Sequence, residues 1–285
     1  MRSCPTMSTH PLARSTTTCA APSTTTERKP SNMTDEETIE KLMQMKLTAM
    51  ALSFRKILAH APGDQLTLSE QMAMMVDDEW AMRENRRLAR LIRSAHLSVA
   101  DACLENAWCD PARGLEKSLV RELGTAKWLR NKQNVIIVGK TGVGKTFLGS
   151  ALAQSACAHG MTALCARVPR LLNELAIAHA DGSFASMLAR LSKLDLLVLD
   201  DFLIGPLKDQ ERRDLVEILE DRYGHSSTVI TTQIPTKHWH EKLADPTIAD
   251  AICDRVTHNA HVIALRGPSI REKKGMLPAQ ETTSP

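Results

Sequence analysis

Residues 135–154, VIIVGKTGVGKTFLGSALAQ, pass from an apolar strand-like run through a glycine loop into a helix-forming stretch. The loop satisfies G-x-x-x-x-G-K-[ST] at every specified position, reading Gly139, Lys140, Thr141, Gly142, Val143, Gly144, Lys145 and Thr146. Few short patterns constrain a fold so tightly, because the phosphate cradle they encode needs a strand before it and a helix after it. Glycine lets the backbone approach phosphate oxygens and adopt positive φ. The loop N–H groups and the helix N-terminus then form an anion-binding concavity, which Phe147 continues into the helix. Lys145 is placed to reach the β- and γ-phosphates, and the Thr146 hydroxyl to ligate Mg²⁺. The alternative is a plain glycine turn, which the flanking strand and helix patterns disfavour. The expected ligand is ATP or another nucleoside triphosphate.

Such a cradle requires a second acidic strand end for the metal. LLVLDDF (196–202) supplies four apolar residues followed by Asp200 and Asp201. Ligands of open α/β sheets bind at this carboxyl edge. Asp200 is the expected Mg²⁺ partner. Asp201 is a candidate to polarise the attacking water, or else a cap for the segment that follows.

NVIIV (134–138), TALCAR (162–167), LDLLVLD (194–200), STVITT (227–232) and HVIAL (261–265) read as strands alternating with helices. One helix is expected to run to His159 and close at Gly160, another to follow Pro169, and another to cover about 210–223. Near-continuous apolar strands between helices predict an α/β fold whose parallel sheet is covered on both faces.

Ahead of residue 133 no strand signal occurs, and a small all-helical domain is expected. Thr34 with Glu37 fits a capping box that opens a helix lasting to Pro62-Gly63-Asp64. A second helix is expected to begin near Thr67–Ser69 and run into an arginine-rich segment, and a third to span Ser98–Trp108. The methionines there read as core filler. Expected boundaries are a disordered tail at 1–32, the helical domain at 33–112, the nucleotide domain at 113–274 and a disordered tail at 275–285. The Ser/Thr/Pro-rich tail either is a disordered extension or places the functional start at Met33.

RENRRLARLIR (83–93) carries Arg83, Arg86, Arg87, Arg90 and Arg93 on one side of a helix, with Leu88, Leu91, Ile92 and Ala95 on another. The guanidinium fork suits phosphate, so the stripe reads either as a DNA-backbone contact or as a solvated face paired with Asp77, Asp78 and Glu79. Net charge is only +3, so the arrangement and not the total must carry any nucleic-acid case. Seven cysteines without a C-x-x-C pair suit a reducing cytoplasm and argue against a disulfide framework or zinc site. No apolar run reaches membrane-spanning length, and no membrane partner is expected. His238-Trp239-His240 reads as a surface helix start, and no Ser–His–Asp or Cys–His arrangement is evident.

In order and spacing, the glycine loop, LDLLVLDDF, STVITTQIP and DAICDRVTHNAHVIALRGPSIREKK resemble the IstB-type ATP-binding proteins of bacterial insertion sequences. These are relatives of the DnaC helicase loaders within the AAA+ ATPases. The likeness covers roughly residues 34–275, including ENRRLARLIRSAHL and PARGLEKSLVRELGTAKWL. It implies a five-stranded AAA+ sheet with the fourth strand between the first and third. It implies that Thr232 or, preferably, Gln233 is the γ-phosphate sensor, that Arg255 is an arginine finger completing a neighbour's site, and that Arg271 is a second sensor. For Arg255 the plain alternative is a surface salt bridge. It also implies ATP hydrolysis, self-assembly on double-stranded DNA and a partner transposase; a replicative helicase loader is the nearest rival, and a small-molecule P-loop kinase a more distant one. Leu203-Ile204 replaces the glycine common in the family just after DDF, which leaves that loop's geometry open.

Overall fold

The computed structural model describes residues 34–59 and 66–270. The tails, the Pro62-Gly63-Asp64 helix stop and Arg271 lie outside the described residues. By its internal contacts the chain divides between Glu79 and Trp80.

The first unit holds helices α1 (Asp35–Gln44) and α2 (Thr48–Ala59) and the beginning of α3 (Leu68–Ser94). Thr34 and Glu37 form the expected capping box, with Glu37 N donating to Thr34 Oγ1 at 3.3 Å and Thr34 N to Glu37 Oε2 at 3.0 Å. The single helix expected from there is broken at Met45–Leu47, where Lys46 takes φ 61°. The restart is stabilised from a distance. Glu79 of α3 is buried and accepts from Ala49 N at 2.9 Å and Met50 N at 3.2 Å, satisfying the first N–H groups of α2. Thr67 and Glu70 form a reciprocal cap that opens α3 where expected.

The second unit begins at Trp80, within α3. The reason is apolar: Leu88, Leu91 and Ile92 pack against the core that also contains Leu104, Leu148 and Ile263. The helix expected over Ser98–Trp108 is absent apart from a 3₁₀ turn at Leu104–Asn106. Tertiary partners replace it, for Ala102 and Leu104 are buried and Val99 N donates to Ser150 Oγ at 3.3 Å.

After α4 (Lys117–Gly124) and α5 (Lys127–Arg130), five strands alternate with helices. They are β1 (Asn134–Gly139), β2 (Ala163–Arg167), β3 (Leu196–Phe202), β4 (Ser227–Thr232) and β5 (Ala260–Leu265). The helices are α6 (Lys145–Ala158), α7 (Val168–Asp181), α8 (Phe184–Ser192), α9 (Asp209–Arg222), α10 (Trp239–Leu243) and α11 (Pro246–Thr257). The sheet is parallel in the order β2-β3-β4-β1-β5, so β4 separates the P-loop strand from the Asp200 strand. Alternation along β1 sends Val135 and Ile137 into a core with Leu148, Leu152 and Trp128, and Ile136 into a second core with Leu215 and Ile252. Both faces are thereby covered, and every strand delivers its carboxyl end to one edge. Among the described residues no helix is long and apolar enough to cross a membrane.

Candidate functional site

Strand β1 ends at Gly139, and the P-loop turns into α6 through Gly142 (φ 84°) and Gly144 (φ 97°). At Gly142 a Cβ would lie 2.2 Å from Ser269 Oγ, because the segment after β5 crosses the loop and Ile270 N donates to Gly142 O at 2.9 Å. Both conformation and space therefore demand glycine there. Lys145 opens α6, nearly buried, with its ammonium donating to Lys140 O at 2.9 Å. Val143 is buried and Phe147 is half-buried against the core below.

Asp200 is 3% exposed and accepts from Thr146 Oγ1, 3.0 and 3.1 Å from its two carboxylate oxygens. Thr231 Oγ1 also donates to Asp200 Oδ1 and accepts from Asp201 N at 3.2 Å. A register shift between Leu199 and Phe202 produces this arrangement, with Asp201 at φ 60° re-aimed beside Arg167. Arg167 Nη2 donates to Asp201 Oδ2 at 2.6 Å and Nε to the same oxygen at 3.2 Å. Leu203 takes φ 58° itself and is buried, so the turn forms around an apolar anchor.

The two sensor candidates separate. Thr232 Oγ1 donates to Phe202 O at 2.9 Å and is wholly buried, which makes it part of the sheet end. Gln233 is exposed beside the P-loop and accepts from Thr141 Oγ1 at 3.0 Å.

Arg255 lies elsewhere. Asn134, the first residue of β1, donates through Nδ2 to Arg255 O and Val256 O, each at 3.2 Å. That fixes the end of α11 at the amino edge of the sheet, opposite the P-loop. The Arg255 guanidinium pairs with Glu220 of α9 and donates from Nη1 to Ala251 O at 3.2 Å. The Glu220 carboxylate raises its pKa above the ordinary arginine value.

All five arginines of α3 are exposed. Arg87 Nη2 donates to Gly160 O at 3.3 Å at the end of α6, and its Nη1 lies 3.9 Å from Glu84. Asp78 Oδ2 also accepts from Ser53 Oγ, and Glu79 Oε2 from the first N–H groups of α2.

Two side chains in contact with the site escaped the sequence reading. Thr231 is one. Arg113 is the other: it is 6% exposed, donates from Nη2 to Val143 O at 2.7 Å and from Nη1 to Trp108 O at 3.1 Å, and lies 4.2 Å from the Trp108 ring centroid. It supports the P-loop from beneath. The one available signal was a charged residue inside PARGLEKSL, which has no periodicity to mark it as buried.

His238-Trp239-His240 does start a helix, but Trp239 is fully buried, tilted against Phe202 at 5.0 Å. The fold also makes a Cys–His contact that the sequence did not suggest, with Cys253 Sγ 3.9 Å from His240 Nδ1 and His240 Nε2 2.9 Å from Asp250 Oδ1. Burial pushes the Cys253 thiol up, the opposite of an activated nucleophile. Among the described residues no group of His, Cys, Asp and Glu could hold a metal by itself.

The family model described as IstB-like ATP binding protein matches residues 40–277. An insertion sequence ATP-binding protein of Sinorhizobium fredii is 42% identical over 237 residues, spanning 83% of this chain and 96% of that relative. The IS1162 ATP-binding protein of Pseudomonas fluorescens is 39% identical over 204 residues, 72% of this chain and 88% of the relative. Among solved structures, AMPPCP-bound DnaA from Aquifex aeolicus superposes with a TM-score of 0.52 at 16% identity, covering 63% of this chain and 56% of that one. That likeness is one of fold.

Proposed function

Because the chain belongs to the IstB-like ATP-binding proteins of insertion sequences, we propose that it is an ATPase helper of transposition. In this reading it assembles with copies of itself on duplex DNA and assists the transposase of the same element in target capture. The observation that carries the reading is the placement of Arg255. Strand β1 separates it from its own P-loop by roughly 16 Å at about 3.3 Å per residue, farther than an arginine side chain extends. That distance from its own P-loop supports a role at the triphosphate of another copy, where the guanidinium would stabilise charge developing at the γ-phosphate.

Within each copy, Gly139–Thr146 cradle the phosphates, and Lys145 exchanges the Lys140 carbonyl for phosphate oxygen. Thr146 and Asp200 offer the hard oxygen donors Mg²⁺ prefers, already within hydrogen-bonding distance of each other. Bound there, the metal would neutralise phosphate charge. Asp201, released from Arg167, and Gln233, released from Thr141, orient the attacking water. Arg255 leaves Glu220 for the neighbour's phosphate, one anion replacing another. Arg83, Arg86, Arg90 and Arg93 contact the DNA backbone, with Arg87 at the edge of the stripe.

The test mixes two inactive variants. Arg255→Ala keeps an intact pocket, and Asp201→Ala keeps an intact finger. Mixed with ATP, Mg²⁺ and duplex DNA, they should recover turnover that neither shows alone, in particles heavier than the monomer. A mixture as inactive as its parts, monomeric with and without DNA, refutes the assembly.

A further inference from the structure

The amino edge of the sheet holds a second cation beside Arg255. Between α5 and β1 the chain turns through Asn131, Lys132 and Gln133, closed by Lys132 N donating to Leu129 O at 3.1 Å and Gln133 N to Trp128 O at 2.9 Å. Lys132 takes φ 57°. This is the helix-ending position at which glycine is favoured, because a Cβ is unfavourable in the left-handed region. A lysine there carries a conformational cost that glycine would avoid. Among the described residues its ammonium has neither an ion pair nor a hydrogen-bond partner.

The turn forms one wall of a recess of about 240 Å³ whose lining includes Lys132, Arg255, Tyr223, Ser226, Arg222 and Asn259. No carboxylate lines it; Glu220 holds Arg255 from outside. Arg222 forms the floor, its guanidinium spent on the carbonyls of Leu191, Leu194 and Ser227 and on Thr228 Oγ1. Burial pushes its pKa down to about 10, against the opposing pull of the Asp195 carboxylate. Ser226 is 6% exposed and its hydroxyl has no hydrogen-bond partner. Two rim cations, a buried third and an unpaired hydroxyl make a recess that favours an anion.

We propose that Lys132 acts beside Arg255 on the triphosphate held by the P-loop of a neighbouring copy. The inference rests on the cross-copy reading of Arg255 and adds a second residue to it. The division of labour follows from their shapes. The planar fork of Arg255 can bridge two oxygens, whereas the Lys132 ammonium is a point charge that draws the phosphates to the interface.

The experiment extends the mixing assay. Lys132→Gly removes the side chain and relieves the backbone, so its melting temperature should equal or exceed the parent's. Placed on the Asp201→Ala copy, which donates the finger, it should reduce the recovered ATPase about tenfold. Placed on the Arg255→Ala copy, which supplies the working pocket, it should leave recovery unchanged. Lys132→Arg on the donor should retain most of the recovery. Equal effects from the two placements, or no effect from either, overturn the role of Lys132 while leaving Arg255 intact. Failure of the parent mixture to recover any turnover overturns both.

Discussion

Replacing Arg113 with Met keeps most of the side-chain volume beneath the P-loop and deletes the guanidinium. Two bonds from that cation to carbonyls would be lost, to Val143 O at 2.7 Å and Trp108 O at 3.1 Å, together with its stacking 4.2 Å from the Trp108 ring centroid. Hydrogen bonds involving a charged group contribute about 1.5–3 kcal/mol each, and a cation–π contact about 1 kcal/mol. Removing a buried charge recovers part of its desolvation, so a net loss of about 3 kcal/mol is expected by the same scales. In a domain of this size that corresponds to a melting-temperature drop of roughly 6–12 °C. Val143 immediately precedes Gly144, and a carbonyl freed there loosens the cradle, so ATP affinity should also fall, by about tenfold for each 1.4 kcal/mol of lost preorganisation. A thermal scan without nucleotide and an ATP titration measure the two effects separately. Arg113→Lys should fall between, because an ammonium cannot serve both carbonyls in the fork geometry. A Met variant that melts within about 2 °C of the parent, well inside the shift expected, and binds ATP equally well would show that Arg113 merely fills space.

Lys145→Ala should abolish ATP binding while leaving the fold intact by circular dichroism; retained affinity would refute the cradle assignment. Arg86→Ala, Arg90→Ala and Arg93→Ala combined should weaken duplex binding at all sequences and make the log–log salt slope shallower by about 0.9 per lost phosphate contact. An unchanged slope would assign the stripe to solvent. Arg87→Ala, by contrast, should lower the melting temperature by a few degrees through loss of the Gly160 contact. Burial pushes the Cys157 thiol up to about 11 and the Cys165 thiol up to about 12 from an ordinary 9.0. The folded chain therefore keeps protons that the unfolded chain releases above 9.0, and stability should be complete below that pH and decline as pH rises toward 11. Melting curves between pH 8 and 10.5 should show the decline, and it should be smaller in the Cys157→Ala/Cys165→Ala double variant. Identical slopes in the two proteins would place the pH dependence elsewhere.

Much of this architecture was legible along the chain. Five apolar strand segments, the Thr34–Glu37 cap, the start of α3 and the glycine loop are local patterns, decided by spacing and backbone chemistry within a few residues. Asp200 was legible for the same reason, since four buried apolar residues ahead of it place it at a strand end. The misread segments share another cause. The α1–α2 break at Met45–Leu47 is stabilised by Glu79, and Ser98–Trp108 by Ser150 and the core under Leu104. Helical propensity loses in both segments to partners that no short window contains.

What the amino-acid order determined alone was that a triphosphate cradle exists and which strand ends surround it, because those features follow from local periodicity and from glycine's freedom at positive φ. Tertiary structure alone decided that Arg113 bonds the Val143 carbonyl of the loop, that Thr231 rather than Thr232 meets Asp200, and that Lys132 lies beside Arg255 at the amino edge of the sheet. Parallel pairing is the physical reason. It brings residues remote in sequence to opposite edges of one sheet, and an edge is defined only when all five strands are in register.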